Sequence, residues 1–148
     1  MIYSIPLVVE SIASQIKTVW DLQVYDSPTQ QGITPPCFFV FLMPSDSRDE
    51  IDKRTFRNLA WDIVYVQERN AVDAFRTLHE VAERLQELFE TLTYTDGTET
   101  IIQHTHDINI SIEDQELHFK FRTSARVYIP EDEVIMQTME GDNVEVEN

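Results

Sequence analysis

The feature of this sequence that most restricts its fold is a two-residue alternation that runs from Leu117 to Ile129. Period-two alternation over 13 residues predicts a β-strand with one buried and one solvated face. The inward positions would be Leu117, Phe119, Phe121, Thr123, Ala125, Val127 and Ile129. Just before it, Ile108, Ile110 and Ile112 alternate in the same way, and a turn at Glu113–Glu116 joins the two stretches. The pattern therefore predicts an antiparallel hairpin that ends at Pro130.

Three further strands are predicted in the first half of the chain. A short strand spans Leu22–Tyr25, and the Pro- and Gly-containing stretch Ser27–Pro36 after it predicts a loop. Cys37–Met43 is apolar on both faces, which is typical of a central strand that is covered on each side. Trp61–Val66 is the third strand.

Two helices are predicted from apolar residues spaced three or four apart. The first begins after Ser4, a good N-cap, with Pro6 in its first turn. Its stripe is Ile5, Val8, Ile12, Ile16 and Val19. The second runs from about Ala71 to Leu92. Its stripe is Ala71, Phe75, Leu78, Ala82, Leu85, Phe89 and Leu92.

The resulting order, α-β-β-β-α-β-β, predicts an α+β fold. We expect a mostly antiparallel β-sheet with the two α-helices packed on one face. This domain would span residues 1–130. Residues 131–148 form an acidic tail with seven carboxylates and no base, and we expect it to be at least partly disordered, or ordered by a partner.

The stretch Pro44–Asn58 is predicted to be a polar loop between two strands. It contains eight charged residues and is long for a hairpin connection, and long loops in compact domains are often functional. We expect it to be mobile in the free protein and to contact other subunits as an arm.

The formal charge of −16 disfavours nucleic-acid binding, because such proteins carry basic footprints. No run approaches the ~20 apolar residues of a membrane helix, and residues 1–10 lack the basic start of a secretory signal. The sequence thus predicts a cytosolic protein without a membrane partner. Cys37 is the only cysteine, and its apolar surroundings predict a buried side chain rather than a reactive thiol.

The ordered set of segments resembles a family of phage tail terminator proteins from phages and prophages of Gram-positive bacteria. The resemblance begins with Gly32-Ile33-Thr34-Pro35-Pro36-Cys37-Phe38-Phe39. It continues through Trp61-Asp62-Ile63-Val64-Tyr65, Val81-Ala82-Glu83-Arg84-Leu85 and the hairpin His106–Phe119, and covers roughly Ile5–Ile129.

The resemblance implies a structural virion protein that is not an enzyme and needs no cofactor. Such a subunit forms a ring, usually a hexamer, that caps the head-proximal end of the tail tube and joins it to the head. Its partners would be copies of itself, the tail tube protein, the head–tail connector or neck proteins, and the sheath protein if the tail is contractile. A different neck component, such as a head-completion subunit or a tail adaptor, remains the alternative.

A metal-dependent enzyme that uses His104, His106 and Asp107 is the competing interpretation. His104 and His106 would project from one side of a strand beside Asp107, and two imidazoles with a carboxylate can hold zinc. No further ligand spacing and no nucleophile or nucleotide-binding motif accompanies them. Surface histidines at a strand entry are therefore the favoured reading, and no metal is predicted.

We predict that the subunit interface involves basic residues. Lys120, Arg122 and Arg126 would share one strand face, either as a solvated surface or as a contact for a neighbour's carboxylates. The full candidate set is Arg48, Lys53, Arg54, Arg57, Lys120, Arg122, Arg126 and Tyr128. Asp62 needs a partner if it is buried, and Arg57 or Arg54 is the expected one.

Overall fold

The computed structural model describes residues 1–28 and 32–128, so Ile129, Pro130 and the tail at 131–148 lie outside the described part. The described part contains two helices and six strands. In chain order they are α1 (Ile5–Lys17), β1 (Val24–Tyr25), β2 (Cys37–Glu50), β3 (Arg54–Val66), α2 (Ala74–Leu88), β4 (Thr91–Thr95), β5 (Thr100–Glu113) and β6 (Glu116–Tyr128). The fold class is α+β, as the sequence predicts.

The strands form one sheet in the order β1-β2-β3-β6-β5-β4. The long alternating strand is confirmed as β6, whose Leu117, Phe119 and Phe121 are buried. It pairs antiparallel with β5, as predicted. β3 and β6 also run antiparallel: Asp62 contacts His118, whereas Asn58, earlier in β3, contacts Ser124, later in β6.

The sheet is mixed, which corrects the predicted mostly antiparallel arrangement. β1 pairs parallel with β2 through Val24–Phe38 and Tyr25–Phe39. A parallel pair needs a connection of about a dozen residues to return the chain to the same end of the sheet. The segment 26–36, between β1 and β2, is long enough for this.

A further correction concerns β4, whose first two residues, Thr91 and Leu92, were predicted to end the second helix. Leu92 fits the helical stripe three residues after Phe89, and it also alternates with Tyr94 at strand spacing. In the structure both Leu92 and Tyr94 are fully buried in a strand, and α2 ends at Leu88. The element order is therefore α-β-β-β-α-β-β-β.

The second helix also starts later than predicted. Asn70 and Asp73 have φ of 63° and 53°, and such left-handed backbone cannot continue a right-handed helix. α2 therefore begins at Ala74 and not at Ala71. Phe75, which was predicted on the buried stripe, is exposed.

The predicted loop Pro44–Asn58 is a hairpin. β2 continues to Glu50, a short 3-10 turn spans Ile51–Lys53, and β3 begins at Arg54. Polar residues fill both faces of this stretch, so the alternation between apolar and polar residues that reveals a half-buried strand is missing.

One part of the core lies between the sheet and the helices, and a second buried cluster is formed by Cys37, Phe39 and Val64. Trp61 and Ile63 of β3 are fully buried, and Phe89, just after α2, contacts Phe119 and Phe121 of β6. α1 begins as predicted: the Leu7 amide donates to the Ser4 hydroxyl. Its buried residues are Val8, Ser11, Ile12 and Ile16.

The packing of α1 differs in detail from the prediction that both helices pack together on one face of the sheet. α1 packs on β4, the edge strand. It therefore covers an edge of the sheet, which helix periodicity alone does not reveal.

The chain divides into two compact units. The described part of the first contains residues 1–28, 32–46 and 58–125. The described part of the second contains residues 47–57 and 126–128. No helix in the described ranges is both long enough and apolar enough to cross a bilayer.

Candidate subunit interface

In the first unit, one sheet face carries two of the predicted interface residues. Lys120 and Arg122 of β6 are half-buried and alternate with the buried Phe119 and Phe121. An Arg122 guanidinium nitrogen lies 3.9 Å from a carboxylate oxygen of Asp46. Arg122 thus already has an acidic neighbour in its own chain, although a pair this exposed contributes little stability.

Asp62 is buried on the sheet, but its partner is not the arginine that was expected. Its Oδ2 lies 2.9 Å from Nδ1 of His118, so the predicted pairing with Arg57 or Arg54 is wrong. His118 is the geometric partner because β3 and β6 are neighbours that place these two side chains side by side. The register between two strands decides this pairing, and no spacing within either strand indicates it.

The other oxygen of Asp62, Oδ1, has no hydrogen-bond partner among the described residues. A cavity of about 310 Å³ lies beside the pair. Its lining includes Phe39, Phe41, Val64 and His118.

The second unit is organised around Phe56. The guanidinium carbons of Arg48 and Arg126 lie 4.5 and 4.9 Å from the centre of its ring. Nε of Arg126 donates to a carboxylate oxygen of Glu50 at 2.9 Å. Cation–π contacts of this kind stabilise by about 0.5–1 kcal/mol at exposed sites. Phe56 therefore provides an apolar contact point within a segment that was predicted to be a polar loop.

The remaining predicted interface residues also lie in this unit. Nε of Arg54 donates to the Ile51 carbonyl at 3.4 Å, and Lys53 is exposed within the turn. Arg57 is half-buried in β3, and Tyr128 is 68% exposed. The eight candidates are thus divided: two are in the first unit and six in the second.

The candidate metal ligands lie on β5. His104, His106 and Asp107 are all exposed. The β5–β6 register shifts between His106 and Asn109, and φ is 55° at Asp107, so a bulge interrupts the alternation there. Among residues 1–28 and 32–128, no group of three or more His, Cys, Asp or Glu side chains could hold a metal ion.

Cys37 is fully buried beside Phe39 and Val64, as predicted. Burial raises the pKa of its thiol, with a smaller contribution from the negative charge of Glu116. A raised pKa lowers the thiolate fraction, so the structure supports a packing role.

One edge of the sheet is covered by side chains of α1. The amide of Gln15 donates to the carbonyls of Leu88 and Thr91, both at 2.8 Å, and accepts from the Thr93 amide at 2.9 Å. Ser11 Oγ accepts from the Thr95 amide at 3.2 Å. We call Thr91–Thr95 the covered edge, because α1 occupies main-chain groups that another strand would otherwise bind.

Two other stretches of strand have no such cover in the described part of the chain. β1 pairs with only Phe38 and Phe39 of the 14-residue β2, which leaves Val40–Ser45 without an outer neighbour. β4 pairs with only Thr100–His104 of β5, which leaves Ile108–Ile112 without one. We call these two stretches the β2 segment and the β5 segment.

Comparison with known proteins adds one finding. A family model described as Phage tail terminator protein matches residues 8–135, which includes most of α1 and all the later elements. No curated protein matches the chain.

Proposed function

The chain belongs to the phage tail terminator family, and on that premise we propose that it forms a ring, most simply a hexamer, that caps the tail tube. The ring would sit at the head-proximal end, stop tube polymerisation and present the surface that joins the head. Terminators are structural tail proteins rather than enzymes, and their place is the virion. Assembly would take place in the host cytoplasm.

The family match carries this proposal, because it spans nearly the whole described chain and is not confined to one motif. The sheet adds physical support. It has uncovered stretches near both of its ends, and a subunit that offers two different surfaces can join its copies head to tail. Such heterologous contacts close into a ring when the rotation between neighbours fits a whole number of copies.

We further propose that the basic candidates contribute to contacts within the ring or with the tail tube protein. Arg122 and Arg126 already have the carboxylates of Asp46 and Glu50 as neighbours in their own chain. A neighbouring subunit would therefore compete with these carboxylates. Attraction between exposed charges is screened by salt, so we expect ring formation to weaken as ionic strength rises.

The connector or neck proteins would contact the rim of the ring that faces away from the tail tube. If the tail is contractile, the sheath protein would be a further partner. The exposed Lys53 of the hairpin turn and the exposed Tyr128 are candidate subunit-interface residues, and we propose that they can also contact these proteins. These assignments rest on exposure and charge.

The test is polymerisation of the tail tube protein of the same virion, with and without this chain. We expect tubes of uncontrolled length without it and capped tubes with it, and electron microscopy measures both. The variant Arg122→Glu/Arg126→Glu should fold but cap poorly. Arg76→Glu, at an 80% exposed position on α2, is the matched control and should cap normally.

Two results would contradict the proposal. Tubes that grow equally long with and without the wild-type chain would show that it does not terminate them. A ring that binds neck proteins but leaves tube length unchanged would move the chain to the alternative class of neck components.

A further inference from the structure

We propose that neighbouring subunits join by strand pairing, with the β2 segment of one copy adding to the β5 segment of the next. The sheet would then continue from subunit to subunit around the ring. This inference rests on the proposed function and names the interface through which the ring forms.

The first argument is the backbone chemistry of an uncovered strand. The outer amide and carbonyl groups of such a strand are a template for another chain, so native proteins usually blunt edges with charge, bulges or a covering element. The covered edge is protected in this way by Gln15 and Ser11 of α1. Neither the β2 segment nor the β5 segment has a covering element among the described residues.

The second argument is charge. The chain carries a formal charge of −16, so most surfaces of two copies repel each other. The β2 segment reads Val-Phe-Leu-Met-Pro-Ser and the β5 segment reads Ile-Asn-Ile-Ser-Ile, and neither contains a charged residue. Two copies can therefore approach along these edges without placing like charges opposite each other.

The third argument is exposed apolar surface. Leu42 in the β2 segment is 45% exposed, and Ile108 and Ile110 in the β5 segment are 37% and 40% exposed. Ile110 is paired with the fully buried Phe119, so its side chain lies on the same face of the sheet as the core. This face remains partly exposed at Ile110 because no strand lies outside it among the described residues. A strand added beside the β5 segment would bury part of this apolar surface. Each Å² of apolar surface removed from water stabilises the contact by about 25 cal/mol.

The fourth argument is geometry within the first unit. The Ala60 amide donates to Ser45, Asp62 contacts His118, and His118 is paired with Ser111. This chain of contacts places the two segments at nearly the same height on opposite sides of the sheet. β2 and β5 also run in opposite directions, because three successive antiparallel steps separate them. Copies placed side by side in the same orientation would thus pair antiparallel.

Pro44 limits the extent of the pairing. Proline is tolerated in strands at an edge, which agrees with the position of β2, but it offers no N–H to a partner. Hydrogen bonding from β2 would therefore centre on Val40–Met43. The expected pairing stretch is therefore short.

Cysteine cross-linking in capped tubes tests the interface. The variant Leu42→Cys/Ile110→Cys should be linked by a short bismaleimide into a ladder of covalent oligomers that ends at the copy number of the ring. Each single variant should stay monomeric on a denaturing gel, because a head-to-tail contact places unlike edges together. The native Cys37 is buried and should not react.

Ile102 provides the matched control. It lies on the same strand as Ile110 and is 69% exposed, but it lies in the part of β5 that β4 already pairs. Leu42→Cys/Ile102→Cys should give no ladder. Similarly, Ile110→Lys should abolish capping, whereas Ile102→Lys should leave tube length normal.

The outcomes separate the two proposals. Capped tubes with no ladder from Leu42→Cys/Ile110→Cys, or with dimers from Leu42→Cys alone, would overturn the strand-pairing interface and leave the terminator function intact. Uncapped tubes with the wild-type chain would overturn the function, and the interface with it.

Discussion

The covered edge and the two uncovered segments belong to one sheet, but they differ in whether their outer main-chain groups are hydrogen-bonded. Along β4, an amide side chain and a hydroxyl from α1 take up main-chain donors and acceptors. Along Val40–Ser45 and Ile108–Ile112, no described element does so. The difference indicates that α1 protects an edge that must not pair, while the other stretches stay available.

The largest effect should come from removing the cover. Gln15→Ala deletes three hydrogen bonds to β4 and to the end of α2, and we expect the free energy of unfolding to fall by about 2 kcal/mol. Ser11→Ala loses one bond and should cost about 1 kcal/mol. Urea unfolding measures both.

Ser14→Ala is the control on the same helix, because Ser14 is exposed and makes no described bond to β4. It should change stability by less than about 0.5 kcal/mol. Equal losses for Gln15→Ala and Ser14→Ala would show that α1 does not hold the edge strand through these bonds.

An intermediate effect should appear in acid, at the turn that follows β4. Main-chain N–H donors of Glu99, Ile2 and Thr98 lower the pKa of Asp96 to about 2. A lowered pKa stabilises the fold fully above the unfolded value near 4, and that stabilisation is lost as the pH falls towards 2.

We therefore expect Asp96→Asn to be less stable than the wild type at pH 5 and to approach it at pH 2. Urea midpoints across this range measure the gap. Asp21→Asn, at an exposed position between α1 and β1, is the control for the loss of one carboxylate. A difference in stability between Asp96→Asn and wild type that is the same at every pH would show that the charge of Asp96 does not stabilise the fold.

The smallest effect compares the two parts of β2. Cys37 is fully buried, and burial raises the pKa of its thiol, so it should react with a maleimide only when the subunit unfolds. A cysteine at Leu42, five residues further along the same strand and 45% exposed, should react at the rate of a free thiol. Mass spectrometry of singly labelled peptides distinguishes the two sites, and rapid labelling of Cys37 in the folded subunit would contradict the described packing.

Sequence periodicity revealed the elements that bury one face. The alternation from Leu117 to Ile129 predicted β6, and the spacing of Val8, Ile12 and Ile16 predicted α1. The hairpin that β2 and β3 form beyond Pro44 was missed because polar residues occupy most positions on both of its faces. β4 was missed because Leu92 fits a helical and a strand spacing equally well.

The contacts of the candidate site could not be predicted from the sequence, because they depend on which strands are neighbours and on the register between them. The pairing of Asp62 with His118 follows from the register of β3 and β6. Which strands lie at an edge, and which edge a helix covers, follows from topology. Ile108, Ile110 and Ile112 were predicted as one strand face, but only the short reach of β4 shows that this strand is open on its outer side.

Hydrogen exchange of the same chain, free and in capped tubes, tests the central claim most directly. We predict that the outward-facing amides within Val40–Met43 and Ile108–Ile112 gain protection on assembly, because a neighbouring strand binds them, whereas the amides that face β3 and β6 are already bound in the free subunit. The amides of Thr93 and Thr95 should be protected in both states, because α1 already binds them. Capped tubes in which both segments exchange as fast as in the free subunit would contradict the account.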